Sequence, residues 1–168
     1  MAKFCLLHVL LLKQGLATPG QLHTPPVRRT WLACYLAGGT HHAFPNHGSG
    51  FCIVNDCAVA ARVLLEEGRM ESLMVIDLDV HQGDAKAAIF AAEPRVFTFS
   101  AHCANNFPRR KQNIDVDLPL ADDLEDGDYL IAIGDLIPDL LLQHHPQLVL
   151  YNADVDEPTA MIGWDVSA

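Results

Sequence analysis

Leu73-Met74-Val75-Ile76 breaks off abruptly at Asp77-Leu78-Asp79-Val80-His81-Gln82-Gly83-Asp84, and this switch from an apolar run to acids and histidine is the strongest structural signal in the chain. A short, wholly apolar run suits a strand buried on both faces. A polar cluster at its carboxyl end suits a ligand site, because open α/β sheets bind ligands just beyond the carboxyl ends of their strands.

The neighbouring segments supply the rest of such a sheet. Upstream, Asn55 or Asp56 is placed to cap a helix running to about Glu67, carried by Ala58, Val59, Ala61, Val63, Leu64 and Leu65 and ended by Gly68. Downstream, the pattern predicts a helix over 85–92, a strand at Val96-Phe97-Thr98-Phe99, a loop over 101–127 containing Pro108 and Pro119, a helix over 128–144 and a strand at Leu148-Val149-Leu150-Tyr151. Nearer the start, a helix is predicted over 4–15, a proline-rich loop over 17–30, and a buried strand over 33–37 that runs into Gly38-Gly39 and a loop over 40–51 rich in His and Gly. Strands alternate with helices, which predicts an α/β fold: three αβα layers with a mostly parallel sheet.

Composition narrows the function classes. The 168 residues fit one domain, and 50% are hydrophobic, enough for a substantial core. The formal net charge is -10, with 11 Lys and Arg in all. The only basic clusters are Arg28-Arg29 and Arg109-Arg110-Lys111, so no direct nucleic-acid binding is expected. The five cysteines, Cys5, Cys34, Cys52, Cys57 and Cys103, are scattered and include no Cys-x-x-Cys pair, a pattern of buried thiols in a reducing compartment. The apolar stretch Phe4 to Leu12 is interrupted by His8, ended by Lys13 and far too short to span a membrane. A cytoplasmic protein with no membrane association is the expectation, and oligomeric state is left open.

Three polar clusters follow predicted strands: Gly38-Gly39-Thr40-His41-His42, Asp77 to Asp84, and Tyr151-Asn152-Ala153-Asp154-Val155-Asp156. Asp79 and His81 are one residue apart, so in extended backbone they project from one face. A carboxylate oxygen and an imidazole nitrogen can then meet one divalent ion, with zinc, iron and manganese all suited to the pair. The plainer alternative is a polar turn in which Asp79 caps the next helix. His41 and His42 are candidates for a general base and an electrostatic partner or acid. Each needs an acceptor on its second ring nitrogen, which Asp77 and Asp84 can supply.

Ala37-Gly38-Gly39-Thr40-His41-His42-Ala43, Gly50-Phe51-Cys52-Ile53-Val54-Asn55-Asp56 and Ile76-Asp77-Leu78-Asp79-Val80-His81-Gln82-Gly83-Asp84 together resemble the zinc-dependent histone deacetylases, closest in wording to the class IV type and its bacterial relatives. Val96-Phe97-Thr98-Phe99-Ser100, Asn106-Phe107-Pro108 and Leu148 to Ala153 continue the match in family order, over roughly 33–156. The resemblance implies an arginase/deacetylase-like fold and zinc-dependent hydrolysis of acyl-lysine amides, on a protein or an acylated amine. It makes Asp79 and His81 zinc ligands, His41 and His42 the tandem catalytic histidines, and Asp77 and Asp84 their respective acids. It makes Gly50, Phe51 and Phe107 the lining of the acyl-lysine channel, and sets Asp77 and Ser100 near a structural monovalent cation, K+. Zinc in such a site lowers the pKa of its water to about 7. The expected layout is a single domain over 1–168: an N-terminal helix and loop over 1–30, the deacetylase core over 31–156 and a divergent tail over 157–168.

The chain also departs from the family pattern. The family's third zinc ligand is an Asp, and the matching position here is Met161, with Asp165 displaced from it. No residue matches the family's late tyrosine, Asp154 stands where relatives usually have Gly, and a long stretch of the relatives is missing between about Pro26 and Trp31. These departures predict either an internally deleted and C-terminally truncated gene product or a flawed gene model, with a catalytically inactive remnant acting as a binding protein as the alternative function. A binuclear manganese ureohydrolase shares the fold type but needs Asp-rich motifs that are absent around Tyr151 to Asp165.

Overall fold

The computed structural model describes residues 39–134 and 136–152. The predicted helix over 4–15, the strand over 33–37, and Asp154, Met161 and Asp165 lie outside the described residues. The described elements are α1 (Asp56–Glu66), β1 (Leu73–Asp77), α2 (Asp84–Phe90), β2 (Val96–Cys103), β3 (Val116–Leu120), α3 (Asp126–Gly134), α4 (Leu136–His144) and β4 (Leu148–Asn152).

The four strands form one sheet in the order β3-β2-β1-β4, every neighbouring pair parallel. All five residues of β1 are buried, as its unbroken apolar run demands. Its side chains alternate between two cores. Leu73 and Val75 pack with Ala58, Ala61, Leu64 and Leu65 of α1, Phe90 of α2 and Val96. Met74 and Ile76 pack on the other face with Phe99, Ala101, Leu120, Ile133 of α3 and Leu140 of α4. The sheet is therefore covered by helices on both sides, the predicted α/β architecture.

Local chemistry sets the ends of α1. The Asn55 side chain accepts a hydrogen bond from the backbone N–H of Ala58 at 3.0 Å. At the other end the Gly68 N–H donates to Leu65 O (3.1 Å) and the Arg69 N–H to Leu64 O (2.9 Å), a Schellman pair closed by Gly68 at φ +63°.

The structure departs from the sequence pattern in two places. The helix expected over 128–144 is two helices, α3 and α4. In one continuous helix the Pro138 ring would clash with the carbonyl of Gly134, whereas as the third residue of α4 it sits in a first turn where its missing N–H has no helical partner to lose. The loop expected over 101–127 contains the end of β2 and all of β3. Ser100 and His102 disguised the first, and β3 alternates Val116, Leu118 and Leu120 with Asp117 and Pro119, so only half of it is apolar. Among the described residues no helix is long and apolar enough to cross a membrane. Cys52, Cys57 and Cys103 are buried.

Candidate functional site

The chain runs from β1 to β2 and β3 in one direction, then places β4 on the opposite side of β1. The strand order reverses between β1 and β4, and the crevice beyond the carboxyl ends of such a strand pair is where ligands bind in open sheets. Asp77 ends β1 and pairs in register with Asn152 at the end of β4 and with Ser100 in β2.

Asp77 is 1% exposed and acts as a hub. Its Oδ1 accepts from the Asp79 backbone N–H (3.3 Å) and from Asn152 Nδ2 (2.9 Å). Its Oδ2 meets His41 Nδ1 at 3.2 Å and Lys86 Nζ at 2.5 Å. Burial alone would raise the carboxyl's pKa; the Lys86 ammonium and the His41 ring outweigh it and bring the pKa down to about 2.

The loop carrying His41 and His42 is anchored from α1. Asn55 Nδ2 donates to His41 O at 2.5 Å, the Asp56 N–H donates to Thr40 O at 3.1 Å, and the Gly39 N–H donates to Asp56 Oδ2 at 3.3 Å. Both histidines are buried, with ring centroids 4.0 Å apart. His42 Nδ1 meets Asp84 Oδ1 at 2.8 Å, and the same oxygen accepts from the Ala85 N–H at 2.8 Å in the first turn of α2. Each histidine thus has its own carboxylate on Nδ1, leaving Nε2 for other work.

His41 Nε2 reaches Asp79 Oδ2 at 3.2 Å. Burial pushes the His41 pKa down, but the bonds to Asp77 and Asp79 prevail and lift it to about 9. Asp79 turns its other oxygen, Oδ1, toward His81, which approaches with its backbone N–H (2.6 Å) and with Nδ1 (3.0 Å). Two sets of donors therefore share Asp79. One is Asp79 with His81; the other is His41, His42 and Asp79, whose donor atoms all lie within 4.8 Å of one another.

Gly50 and Phe107 border this cluster. Gly50 has φ +52°, and a Cβ there would overlap the His42 side chain, so the loop passes His42 at a distance only glycine permits. The Phe107 ring stands edge-on to His42 (5.1 Å, 90°) and to His81 (6.0 Å, 75°). Phe51, at φ +59°, is fully exposed on the turn after Gly50. Ser100 is buried, and its Oγ accepts from the Gly83 N–H at 3.2 Å.

His41, His42, Asp77, Asp79, His81, Asp84, Gly50 and Phe107 thus come together around the β1 end, with Ser100 paired in register beside Asp77, whereas Phe51 is fully exposed and is not brought into the cluster. Sequence reasoning missed three participants. Asn152 stood in a noted polar cluster without a role; besides bonding Asp77 it lies 3.3 Å from His41 Nδ1. Asn55 caps α1 and also fixes the His41 carbonyl. Lys86 was passed over altogether, although a lone cation in Ala85-Lys86-Ala87-Ala88, just past the acidic cluster, was its signal.

Comparison with known proteins bears on the same residues. The histone deacetylase domain family matches residues 20–160. An uncharacterized protein of Picosynechococcus sp. is 54% identical over 125 residues, 74% of this chain and 42% of that protein. The acetoin utilization protein AcuC of Staphylococcus aureus is 33% identical over 135 residues, 73% of this chain and 34% of its own length. The histone deacetylase clr6 of Schizosaccharomyces pombe is 33% identical over 136 residues, 74% of this chain and 33% of its own. Among solved structures, an HDAC homolog complexed with SAHA superposes with a TM-score of 0.61 at 28% identity, covering 68% of this chain and 34% of that one, and an HDAC homolog from Aquifex aeolicus gives the same values. The aligned part spans 42% or less of the length of each of these relatives.

Proposed function

This chain belongs to the histone deacetylase family, and from that premise we propose that the cluster at the end of β1 carries metal-dependent hydrolysis of acyl-lysine amides, on a protein or an acylated amine. The observation that carries the reading is the pair of buried histidines, each with Nδ1 on its own carboxylate, beside a carboxylate–imidazole pair whose donor atoms lie 3.0 Å apart.

The donor chemistry at Asp79 and His81 fits zinc, which takes both carboxylate oxygen and imidazole nitrogen. These two residues would hold it. Catalytic zinc sites use three protein ligands, so two alone make a weaker site. When bound, the metal supplies a Lewis acid for the acyl carbonyl and acidifies water.

The remaining work falls to side chains. Asp84 holds the His42 proton at Nδ1 and so keeps Nε2 basic, the arrangement of a general base. Asp77 does the same for His41, which is then placed to hold a proton near a developing negative charge and to return one to the amine. The Phe107 ring, edge-on to both His42 and His81, offers an apolar wall to the methylenes of a lysine side chain. Gly50 lets its loop pack directly against the His42 ring, and Phe51 beside it is the candidate for a second apolar wall.

The test is hydrolysis of an acetyl-lysine peptide by the zinc-loaded chain and its His42→Ala variant. The reading expects turnover that falls by about 100- to 10,000-fold in the variant, the usual contribution of a general base. Equal turnover in the two proteins, or none in the zinc-loaded chain, refutes it.

A further inference from the structure

Among the described residues, Lys86 is the most deeply buried charged side chain outside the acids themselves. It projects from the first turn of α2 and is 1% exposed. Lysine is almost never fully buried unless paired. Its Nζ lies 2.5 Å from Asp77 Oδ2 but outside hydrogen-bond geometry, so the contact is a Coulombic one between two side chains each 2% exposed.

The surroundings explain why a cation is needed there. Asp77, Asp79 and Asp84 are all buried, at 1%, 1% and 3% exposure, so three carboxylates lie out of reach of bulk solvent beyond β1. The backbone gives way to let the lysine in. A Cβ on Gly83 would overlap the Asp77 carboxylate and lie 3.2 Å from Lys86 Cε, so the turn can pass the pair only as glycine. The Gly83 N–H is tied to Ser100 Oγ, which holds that turn against β2.

The resemblance described above sets a free monovalent cation near Asp77 and Ser100. The side chains present do not fit one. A carboxylate offers about four acceptor positions. Asp77 Oδ1 already serves the Asp79 N–H and Asn152 Nδ2, and Oδ2 serves His41 Nδ1 with the Lys86 ammonium packed against it as an ion pair. A free cation at this carboxylate would also lie against the ammonium.

We infer that Lys86 is a tethered cation that takes the place of a free monovalent ion at Asp77, so that this chain keeps its acidic pocket assembled without potassium. The lysine is a positioning residue: it touches Asp77, and through Asp77 it sets His41. The inference stands apart from the hydrolytic reading, since its test reads stability and not turnover.

The experiment is thermal unfolding of the full chain, metal-free, in potassium, choline or ethylammonium chloride at one ionic strength. The wild-type Tm is expected to be the same in potassium and choline. A free-ion site would instead raise it by roughly 5–10 °C at a hundredfold excess of potassium over its Kd, and a rise of that kind overturns the inference without any variant being needed. Lys86→Ala opens space for an ion: its Tm is expected to fall in choline and recover in potassium or ethylammonium. A Lys86→Ala protein as stable as wild type in choline, or one that no cation restores, overturns the inference as well. Lys86→Met fills the space without a charge and is expected to stay destabilised in every salt; wild-type stability in that variant would show that packing, not charge, is the lysine's role.

Discussion

Removing the charge from Asp77 alone strands a buried ammonium, and the cost can be worked from the contacts. In Asp77→Asn a single side-chain oxygen remains. If it faces the Asp79 N–H and Asn152, the new amide group points its hydrogens at Lys86 and His41; if it faces Lys86, the Asp79 N–H and Asn152 lose their acceptor. Both charged side chains are 2% exposed, so water cannot take over. Breaking a buried pair from one side costs about 3–5 kcal/mol. For a chain of this size that lowers Tm by roughly 10 °C. Lys86→Met should cost a similar amount, because it leaves the carboxylate with His41 as its one cationic partner. The double variant Asp77→Asn/Lys86→Met removes both charges, and replacing a whole buried pair is often close to neutral. Urea or thermal unfolding of the four proteins should therefore give a coupling free energy of about 2 kcal/mol or more. Two single variants within about 0.5 kcal/mol of wild type, or effects that simply add, would refute the reasoning.

Other consequences can be checked independently. Arg95 holds Glu93 through Nε and Nη2, both at 2.7 Å, and with Arg62 at 2.8 Å it draws the carboxyl's pKa down to about 2. A lowered carboxyl pKa contributes stability above the ordinary value of 4.5 and loses it as pH falls toward 2. Glu93→Gln should therefore be less stable by about 1 kcal/mol at pH 7, both arginines being partly exposed, and should match wild type near pH 2; a difference that persists unchanged in acid denies the linkage. Phe99→Ala should lose about 3–5 kcal/mol in urea unfolding, because its ring is 1% exposed between Met74, Ile76 and Leu120, whereas Phe51→Ala should change stability by less than about 0.5 kcal/mol. Similar losses for the two would place the second core wrongly.

Much of this was legible in the sequence because burial on both faces leaves an unbroken apolar run. That is why β1 stands out, and why the acids and histidines beyond it marked the site; β4 is as apolar in sequence but only half-buried, with Tyr151 exposed. The chain hid what depends on mixed surroundings. In β2, Ser100 and His102 look like loop residues, yet they are buried because Gly83 bonds the first and Asp117 the second at 3.0 Å. In β3 only alternate residues are apolar, and Pro119 argued against a strand until its edge position removed the need for its N–H. Pro138 divides a helical pattern whose apolar residues continue across the break. Tertiary pairing also conceals Lys86 and Asn152. Nothing in their local patterns says that they meet on one carboxylate, and only the parallel register of β1 with β4 and the sharp turn at Gly83 bring them there.

The central claim is that Asp79 and His81 hold the metal while His41 and His42 are left to move protons. Zinc content after dialysis against a weak chelator, measured on wild type and on the Asp79→Ala, His81→Ala and His42→Ala variants, tests it most directly. The account predicts that Asp79→Ala and His81→Ala lose the zinc while His42→Ala keeps it. Loss in His42→Ala with retention in His81→Ala would put the ion between His41, His42 and Asp79 and contradict the account.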